Sequence, residues 1–484
     1  MTIIMNYRNH LYLVCLLTCF HLAAYAQNKS RITNPVIDQY VKETIKLHQI
    51  PGLALAVISK GKVIHQQYYG KASLEQNTPI DDQSIFRVYS TTKLLVAVGI
   101  FQLVEQGKLS LKDAIGKYLP HLPKHWKSLK IKHILTHSSG LPDLLRYPST
   151  LTDQALMAKL SQDPLAFQAG NQFRYNQTNY WLLAQIIAKV SGESFENFIF
   201  KNQFATAKNQ SKNGVLFSSN STIDIPHRIS KYHYDNKAHQ FKQTTYNNGP
   251  RAHAANGLNI SLPAMLEWNK KLDQGSLLKA DTKASMLTPF LFANKRDRFL
   301  HGWGVYRVNQ QPSFGFTGGG VSGFRKFPKE KLTIIFLSSG YKYFPVHNQV
   351  INHIAGLVHT QLQDKRQLMD EKTINAFLQQ SVPQAINTYR TMKAKNPAHN
   401  FEGTINRLGY VFLRSGKLQQ ATQLFQLNVQ EYPTSSNVYD SLGEAYFVAK
   451  NYPLAQKNYK KALELDPASD NAKQMLKKIK TYHK

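Results

Sequence analysis

The chain has 484 residues, enough for two or three domains, and its 42% hydrophobic and 11% aromatic content is ample for packed cores. Sixty Lys and Arg against 29 Asp and Glu give a formal charge of +31. That charge reads either as a solubilising surface or as contact with an anionic cell envelope or acidic substrate. Its dispersal and the lack of a groove-reading motif exclude nucleic acid as the expected partner.

At the N-terminus, Arg8 precedes the apolar run Leu11 to Ala24, and Ala24-Tyr25-Ala26 offers an A-x-A cleavage site before Gln27. Residues 1–26 therefore read as a secretory signal peptide, the run being shorter than the ~20 residues of a spanning helix. An uncleaved anchor is the alternative. The expectation is export to a periplasmic or extracellular location. Leu16-Leu17-Thr18-Cys19 faintly resembles a lipoprotein processing site, but Thr18 fits it poorly, and anchoring through Cys19 is not expected. Both cysteines, Cys15 and Cys19, fall inside this segment. A mature chain without thiols excludes cysteine catalysis, disulfides and cysteine-based metal sites.

Residues 31–48 read as an amphipathic helix, stopped by Pro51-Gly52. Strand-like runs at Leu53–Ser59 and Lys62–Tyr69 are joined around Lys60-Gly61, a hairpin signal. A helix at Thr91–Glu105 ends near Gly107, and further helices are expected at 152–161, 178–190, 262–273, 280–287 and 346–362. Strands are expected at 302–309, 312–317, 323–327 and 331–338. Helices flanking an antiparallel sheet with strands from both ends of the segment make an α+β domain over 31–362. The polar stretch 363–378 reads as a linker.

Beyond it lies an internal repeat. Leu408-Gly409, Leu413, Ala421, Phe425 and Pro433 recur 34 residues later as Leu442-Gly443, Phe447, Ala455, Tyr459 and Pro467. Ala385, Tyr389 and Pro397 read as the second helix of a degenerate earlier copy. The register resembles the tetratricopeptide repeat, implying an all-α domain over 379–484 that binds a partner protein or restricts access to the site. So few repeats are expected to dock onto the first domain. Lys473–Lys480 reads as a basic capping helix with a solvated face.

The candidate chemistry starts at Ser90-Thr91-Thr92-Lys93. Lys93 lies one helical turn from Ser90, near the positive end of the helix dipole. A serine hydroxyl needs a neighbouring base, and a desolvated lysine can be one because burial favours its neutral form. Spacing alone does not separate this from an ordinary helix cap by Ser90 or Thr91. Three other S-x-x-K matches occur, at Ser59–Lys62, Ser276–Lys279 and Ser339–Lys342.

Context separates them. "FRVYSTTK" (86–93), "LVEQGKLSLKDAIGKYLP" (103–120) and "IKHILTHSSGLPD" (131–143) follow the hairpin in order. This wording resembles the serine β-lactamase and penicillin-binding-protein superfamily, in its class C β-lactamase-related, esterase-like branch, over roughly residues 35–360. The resemblance implies a β-lactamase/transpeptidase-like fold, Ser90 as acylated nucleophile and Lys93 as its partner. It also places Tyr175 of "FRYNQTNY" (173–180) at the family's Tyr-x-Asn tyrosine, with Gln177 at the asparagine and Asn176 beside it. Which of Lys93 and Tyr175 is the base stays open.

The third motif, Lys/His-Thr-Gly, aligns with Phe316-Thr317-Gly318 of "FGFTGGGVSGFRKF" (314–327). Phe316 supplies no charge, and some esterase-like relatives carry an aromatic residue there. Arg325 and Lys326 are expected at an exposed strand end. The amides of Ser90 and Gly319 are implied as the oxyanion hole, and Gln177, Phe316, Thr317 and Gly318 as substrate contacts. His137 is expected to support a loop. "AANGLNIS" (254–261) is expected to be a tight turn before a helix, and the scattered His253 and His301 give no metal-ligand spacing. No cofactor or metal is expected.

The implied function is an exported serine hydrolase working through an acyl-enzyme on an ester, amide or D-amino-acid peptide. Esters and small acyl compounds rank ahead of wall-derived peptides, and β-lactams come third. The alternative is a non-catalytic penicillin-binding-like protein that binds cell-wall fragments and scaffolds partners through its repeats.

Overall fold

The computed structural model describes residues 31–204, 213–296 and 298–482. The expected signal peptide, with Cys15 and Cys19, lies outside the described residues. Twelve strands occur among them: β1 (Gly52–Ser59), β2 (Lys62–Ser73), β3 (Thr78–Pro79), β4 (Ile85–Arg87), β5 (Val215–Phe217), β6 (Tyr232–Asp235), β7 (Gln240–Gln243), β8 (Leu258–Ser261), β9 (Gly304–Val308), β10 (Gln311–Gly318), β11 (Ser322–Phe327) and β12 (Leu332–Ser338).

The main sheet runs β3-β2-β1-β12-β11-β10-β9, with each neighbouring pair antiparallel. Its centre is β1 beside β12, so the chain closes the sheet by bringing its early and late strands together. Side-chain alternation explains why "GLALAVIS" has so few polar residues. Leu53, Leu55 and Val57 face one core, while Ala54, Ala56 and Ile58 face the other. The β1–β2 turn places Lys60 at φ 51° and Gly61 at φ 78°, the left-handed pair that a two-residue hairpin demands.

Helix α1 (Pro35–His48) covers the first face together with a late helix spanning His347–Val358. Asn34 caps α1 by accepting from the Val36 and Ile37 amides. On the other face lie α2 (Lys93–Glu105), α3 (Gln177–Ser191) and α4 (Leu262–Asp273). Eleven consecutive residues of α2, from Lys93 to Leu103, are buried. A helix apolar on every side belongs in a core, which is why "LLVAVGIF" carries no amphipathic stripe.

The helix over His347–Val358 is α5, and α6 (Lys365–Gln379) follows it. The stretch 363–378, expected as a linker, is thus mostly helical. Its charged residues hid a buried face made by Glu371, Thr373, Ile374, Ala376 and Phe377. Helix α6 pairs with α7 (Val382–Lys395), the degenerate copy. The clear repeats follow as α8 (Glu402–Arg414) with α9 (Leu418–Glu431), then α10 (Ser436–Val448) with α11 (Tyr452–Leu465), closed by α12 (Asp470–Thr481).

The repeat glycines have a steric reason. A Cβ on Gly409 would stand 2.4 Å from the Phe425 ring, and one on Gly443 3.2 Å from Tyr459. The repeats touch the first domain through α6 against α1 and α5. Phe344, in the loop after β12, packs on the repeat core with the Arg407 guanidinium 5.3 Å over its ring. Besides the two-residue edge strand β3, five short strands went unforeseen in the sequence. β4, β5 and β8 make a small sheet, and β6–β7 a hairpin; each is four residues or fewer, too short to show a period.

Candidate active site

Three segments from distant parts of the chain meet above the main sheet. The first is the turn Tyr89–Thr92, a single 3-10 turn feeding α2. No side chain of this segment caps the helix, so the simple capping reading of Ser90 and Thr91 does not hold. Thr91 Oγ1 instead meets Ser322 Oγ at 2.9 Å, and Ser322 Oγ donates to the Val88 carbonyl at 2.7 Å. Tyr89 holds φ 47°. A bulky residue in the left-handed region stores strain, on the order of 1–3 kcal/mol, and such strain persists only where surrounding packing enforces it.

The second segment is the turn after β10. A Cβ on Gly318 would lie 2.0 Å from the Val88 carbonyl and 2.8 Å from the Ser90 amide nitrogen. One on Gly319, itself at φ 56°, would lie 2.7 Å from the Tyr89 ring. The backbone of this turn therefore rests directly on the residue that precedes Ser90. Only glycine permits that approach.

The third is the start of α3. The Tyr175 hydroxyl donates to Ser90 Oγ at 2.7 Å. Asn176 caps α3 by accepting from the Asn179 amide, and its own side chain donates to the Leu141 carbonyl. His137, at φ 54°, accepts from the Asn176 amide at 3.1 Å and is enclosed by Phe173, Tyr175, Tyr180 and Phe299. The "LTHSSGLPD" phrase thus holds the tyrosine loop in place.

Lys93 is fully buried. Its Nζ donates to Gln177 Oε1 at 3.0 Å and to the Ala255 carbonyl at 2.6 Å. It also lies 4.9 Å from the centres of the Tyr175 and Tyr180 rings and 5.9 Å from that of Phe316. Burial holds its pKa well below the usual lysine value, opposed by the Asp143 carboxylate. A neutral amine has two N–H groups and a lone pair. Two acceptors engage the two hydrogens, which leaves the lone pair free to take a proton.

Tyr175 is 37% exposed toward solvent, yet the dense protein around its ring pushes its pKa up to about 12, with the Ser90 and Gln177 hydrogen bonds pulling the other way. At neutral pH it is a hydroxyl, which fits a donor to Ser90 Oγ better than a resting tyrosinate.

Ser90, Lys93, Tyr175, Gln177, Phe316, Gly318 and Gly319 thus come together in one place. Thr317 takes its register on β10 opposite Gly323. Gln177 proves to be a partner of Lys93. Arg325 and Lys326 depart from expectation. Arg325 is 1% exposed, stacks on Tyr306 and donates to Asn348 at 2.8 Å. Lys326 pairs with Asp273 and Asn269. Both are locked in packing rather than free at a strand end.

Asp143, the Ala255 carbonyl and the Tyr180 ring are neighbours of Lys93 that the motifs did not single out. The Ala255 carbonyl comes from the "AANG" turn expected to be only structural, and a main-chain acceptor leaves no signature in side-chain identity.

The Beta-lactamase family model matches residues 37–356. The chain belongs to the beta-lactamase family. A tetratricopeptide repeat model matches residues 436–469. A penicillin-binding protein of Bacillus subtilis is 25% identical over 315 residues, 60% of this chain and 68% of that one. A putative penicillin-binding protein, PbpX, of the same organism is 33% identical over 184 residues, 37% of this chain and 44% of that one. The match to PbpX therefore spans less than half of that relative's length.

Among solved structures, an octameric penicillin-binding protein homologue from Pyrococcus abyssi aligns at TM-score 0.58 and 21% identity, over 69% of this chain and 81% of that one. EstCE1, a hydrolase with promiscuous acyltransferase activity, aligns at 0.53 and 19%, over 66% and 95%. A D-amino acid amidase from Ochrobactrum anthropi aligns at 0.57 and 18%, over 67% and 97%. At these identities the structural likeness speaks for the fold of this beta-lactamase family member.

Proposed function

We propose that this beta-lactamase family protein is an exported serine hydrolase that cleaves an ester, amide or D-amino-acid peptide through an acyl-enzyme on Ser90. The observation that carries the reading is the meeting of three groups: Ser90 Oγ bonded to Tyr175 at 2.7 Å, beside a buried Lys93 whose two acceptors leave a lone pair.

Ser90 Oγ attacks the carbonyl and loses its proton, directly or through the Tyr175 hydroxyl, to the Lys93 amine. The amides of Ser90 and Gly319 receive the negative oxygen. A well-placed donor of this kind contributes about 3 kcal/mol of transition-state stabilisation. The proton then passes to the leaving oxygen or nitrogen. Water deacylates Ser90 by the reverse relay.

Phe316 gives the site a ring where many relatives carry a cation, which disfavours a substrate carboxylate at that point. Esters and small acyl compounds are the first substrate class, ahead of D-amino-acid peptides and then β-lactams. The test is a turnover panel of aryl esters, D-amino-acid amides, D-peptides and a β-lactam, with Ser90→Ala alongside. Ser90-dependent turnover of one class is expected; an inert panel would contradict it.

Phe316 also favours a second reading, in which the protein binds wall fragments without turning them over. Saturable binding of D-peptides by an enzyme inert on the whole panel would select that reading. The tetratricopeptide repeats support a role in binding a partner protein.

A further inference from the structure

The turn that carries the Gly319 amide has a free backbone. Gly318 to Val321 is closed by the Val321 amide donating to the Gly318 carbonyl at 3.0 Å, with Gly319 at φ 56° and Gly320 at φ 73° between them. Both angles suit a two-residue hairpin turn. Glycine adopts them without strain, and for the same reason leaves them easily. The direction of the Gly319 amide must therefore be fixed from outside the turn.

Two walls fix it. The Tyr89 ring bears on Gly319. The other wall is the loop between β12 and α5. A Cβ on Gly320 would stand 2.9 Å from the Tyr341 hydroxyl oxygen and 3.0 Å from Pro345 Cγ. His347 Nδ1 lies 3.0 Å from the Gly320 carbonyl oxygen. A carbonyl only accepts, so Nδ1 carries the hydrogen. Burial lowers the His347 pKa to about 4, against the pull of that same bond and with the Arg325 charge assisting. The ring is neutral at pH 7, and its one N–H serves the turn.

The same loop has a second attachment. The Lys342 amide donates to the His48 carbonyl at 2.9 Å, and the Phe344 ring meets the His48 ring edge-on at 5.2 Å. Phe344 also reaches the repeat core, with Arg407 of α8 over its ring. It is the one hydrophobic residue, among the described residues, that packs both on the core under α1 and α5 and on the repeat core. Only Pro345 and Val346 separate it from His347, and the fixed φ of proline makes that connection stiff. A shift of α8 against the loop is thus carried to the Gly320 carbonyl.

We propose that His347 is a positioning residue for the oxyanion turn and that Phe344 ties this turn to the repeat domain, so that the repeats act on turnover rather than on substrate entry. The proposal rests on the serine-hydrolase reading and adds its control.

Four variants of the whole chain test it on an aryl ester. His347→Phe, which fills the space without a donor, is expected to lower kcat about tenfold or more with KM within about twofold, because oxyanion donors act in the transition state. His347→Asn, whose amide donates from near the Nδ1 position, is expected to recover most of that loss. On the repeat side, Phe344→Ala and Arg407→Ala, the latter exposed, are expected to lower kcat by about tenfold and about threefold, the range of coupling through packed side chains. Titration of active serines with a fluorophosphonate normalises every rate to folded enzyme. Losses confined to the active fraction or to KM, or a His347→Asn variant as slow as His347→Phe, overturn the proposal. So does an unchanged kcat in both Phe344→Ala and Arg407→Ala.

Hydrogen exchange over residues 317–322 reads the turn without turnover. Exchange about tenfold faster in His347→Phe, and faster than wild type in Phe344→Ala and Arg407→Ala, supports the link, and wild-type exchange in all three overturns it. Faster exchange in the variants of a protein that turns over no ester would sink the hydrolase reading and leave the link standing.

Discussion

The turn Tyr89–Lys93 and the repeat helices are built by opposite rules. In the repeats, each small residue answers a large one: Gly409 makes room for Phe425, and Gly443 for Tyr459. Helix ends there fall where the local residues favour them, as at Ser469 capping α12. At the turn, a tyrosine holds φ 47° and a lysine is buried without a carboxylate in hydrogen-bond contact. Two glycines there press against the Val88 carbonyl and the Tyr89 ring. The repeats are stable because of their local sequence, and the turn survives in spite of it. Strain and buried polarity concentrated in one place mark chemistry, because packing elsewhere must supply the free energy that holds them.

The contrast can be broken at several points, and the largest effects belong to the turn. Lys93→Met should lower kcat/KM by about 10³-fold or more, and Tyr175→Phe by about 10²-fold, the range in which positioned proton-transfer groups act. Far-UV circular dichroism of both should be unchanged.

Gly319→Ala brings a methyl against the Tyr89 ring. It should cost about 10²-fold in kcat with a smaller change in KM, since the oxyanion donors act in the transition state.

The pH dependence sharpens the same point. A base must be unprotonated to accept the Ser90 proton, so kcat/KM should rise with pH through the Lys93 pKa and then level. Burial lowers that pKa, so the limb should lie below the usual lysine range. A limb at the ordinary lysine value would show Lys93 to be solvated.

The smallest effect on catalysis belongs to the repeats. Gly409→Val should destabilise the chain by about 1–3 kcal/mol through overpacking against Phe425. Chemical denaturation reads that loss, while the Ser90-directed activity of the folded protein should persist.

The same contrast governed what was legible from sequence. The unbroken apolar runs of β1 and β12 and the 34-residue register of Leu408 and Leu442 are local signals, and the structure repeats them closely. The ends of α4, at Leu262 and Asp273, were legible because Ser261 caps it and Pro263 fits its first turn. Ser90, Lys93 and Tyr175 were legible only through wording shared with a family, since S-x-x-K occurs four times in this chain.

The charged stretch 363–378 misled because its apolar positions are sparse, and only contact with α1 and α5 reveals the helix's buried face. The Ala255 carbonyl stayed hidden for a related reason. It meets Lys93 across 162 positions of the chain. No periodicity encodes such a meeting.

The central claim is that the strained turn exposes one activated serine. Reaction of the whole protein with a fluorophosphonate, followed by peptide mapping of the adduct, tests it most directly. A single adduct on Ser90, slowed in Lys93→Met, is predicted. No adduct, or one at Ser59, Ser276 or Ser339, would contradict it.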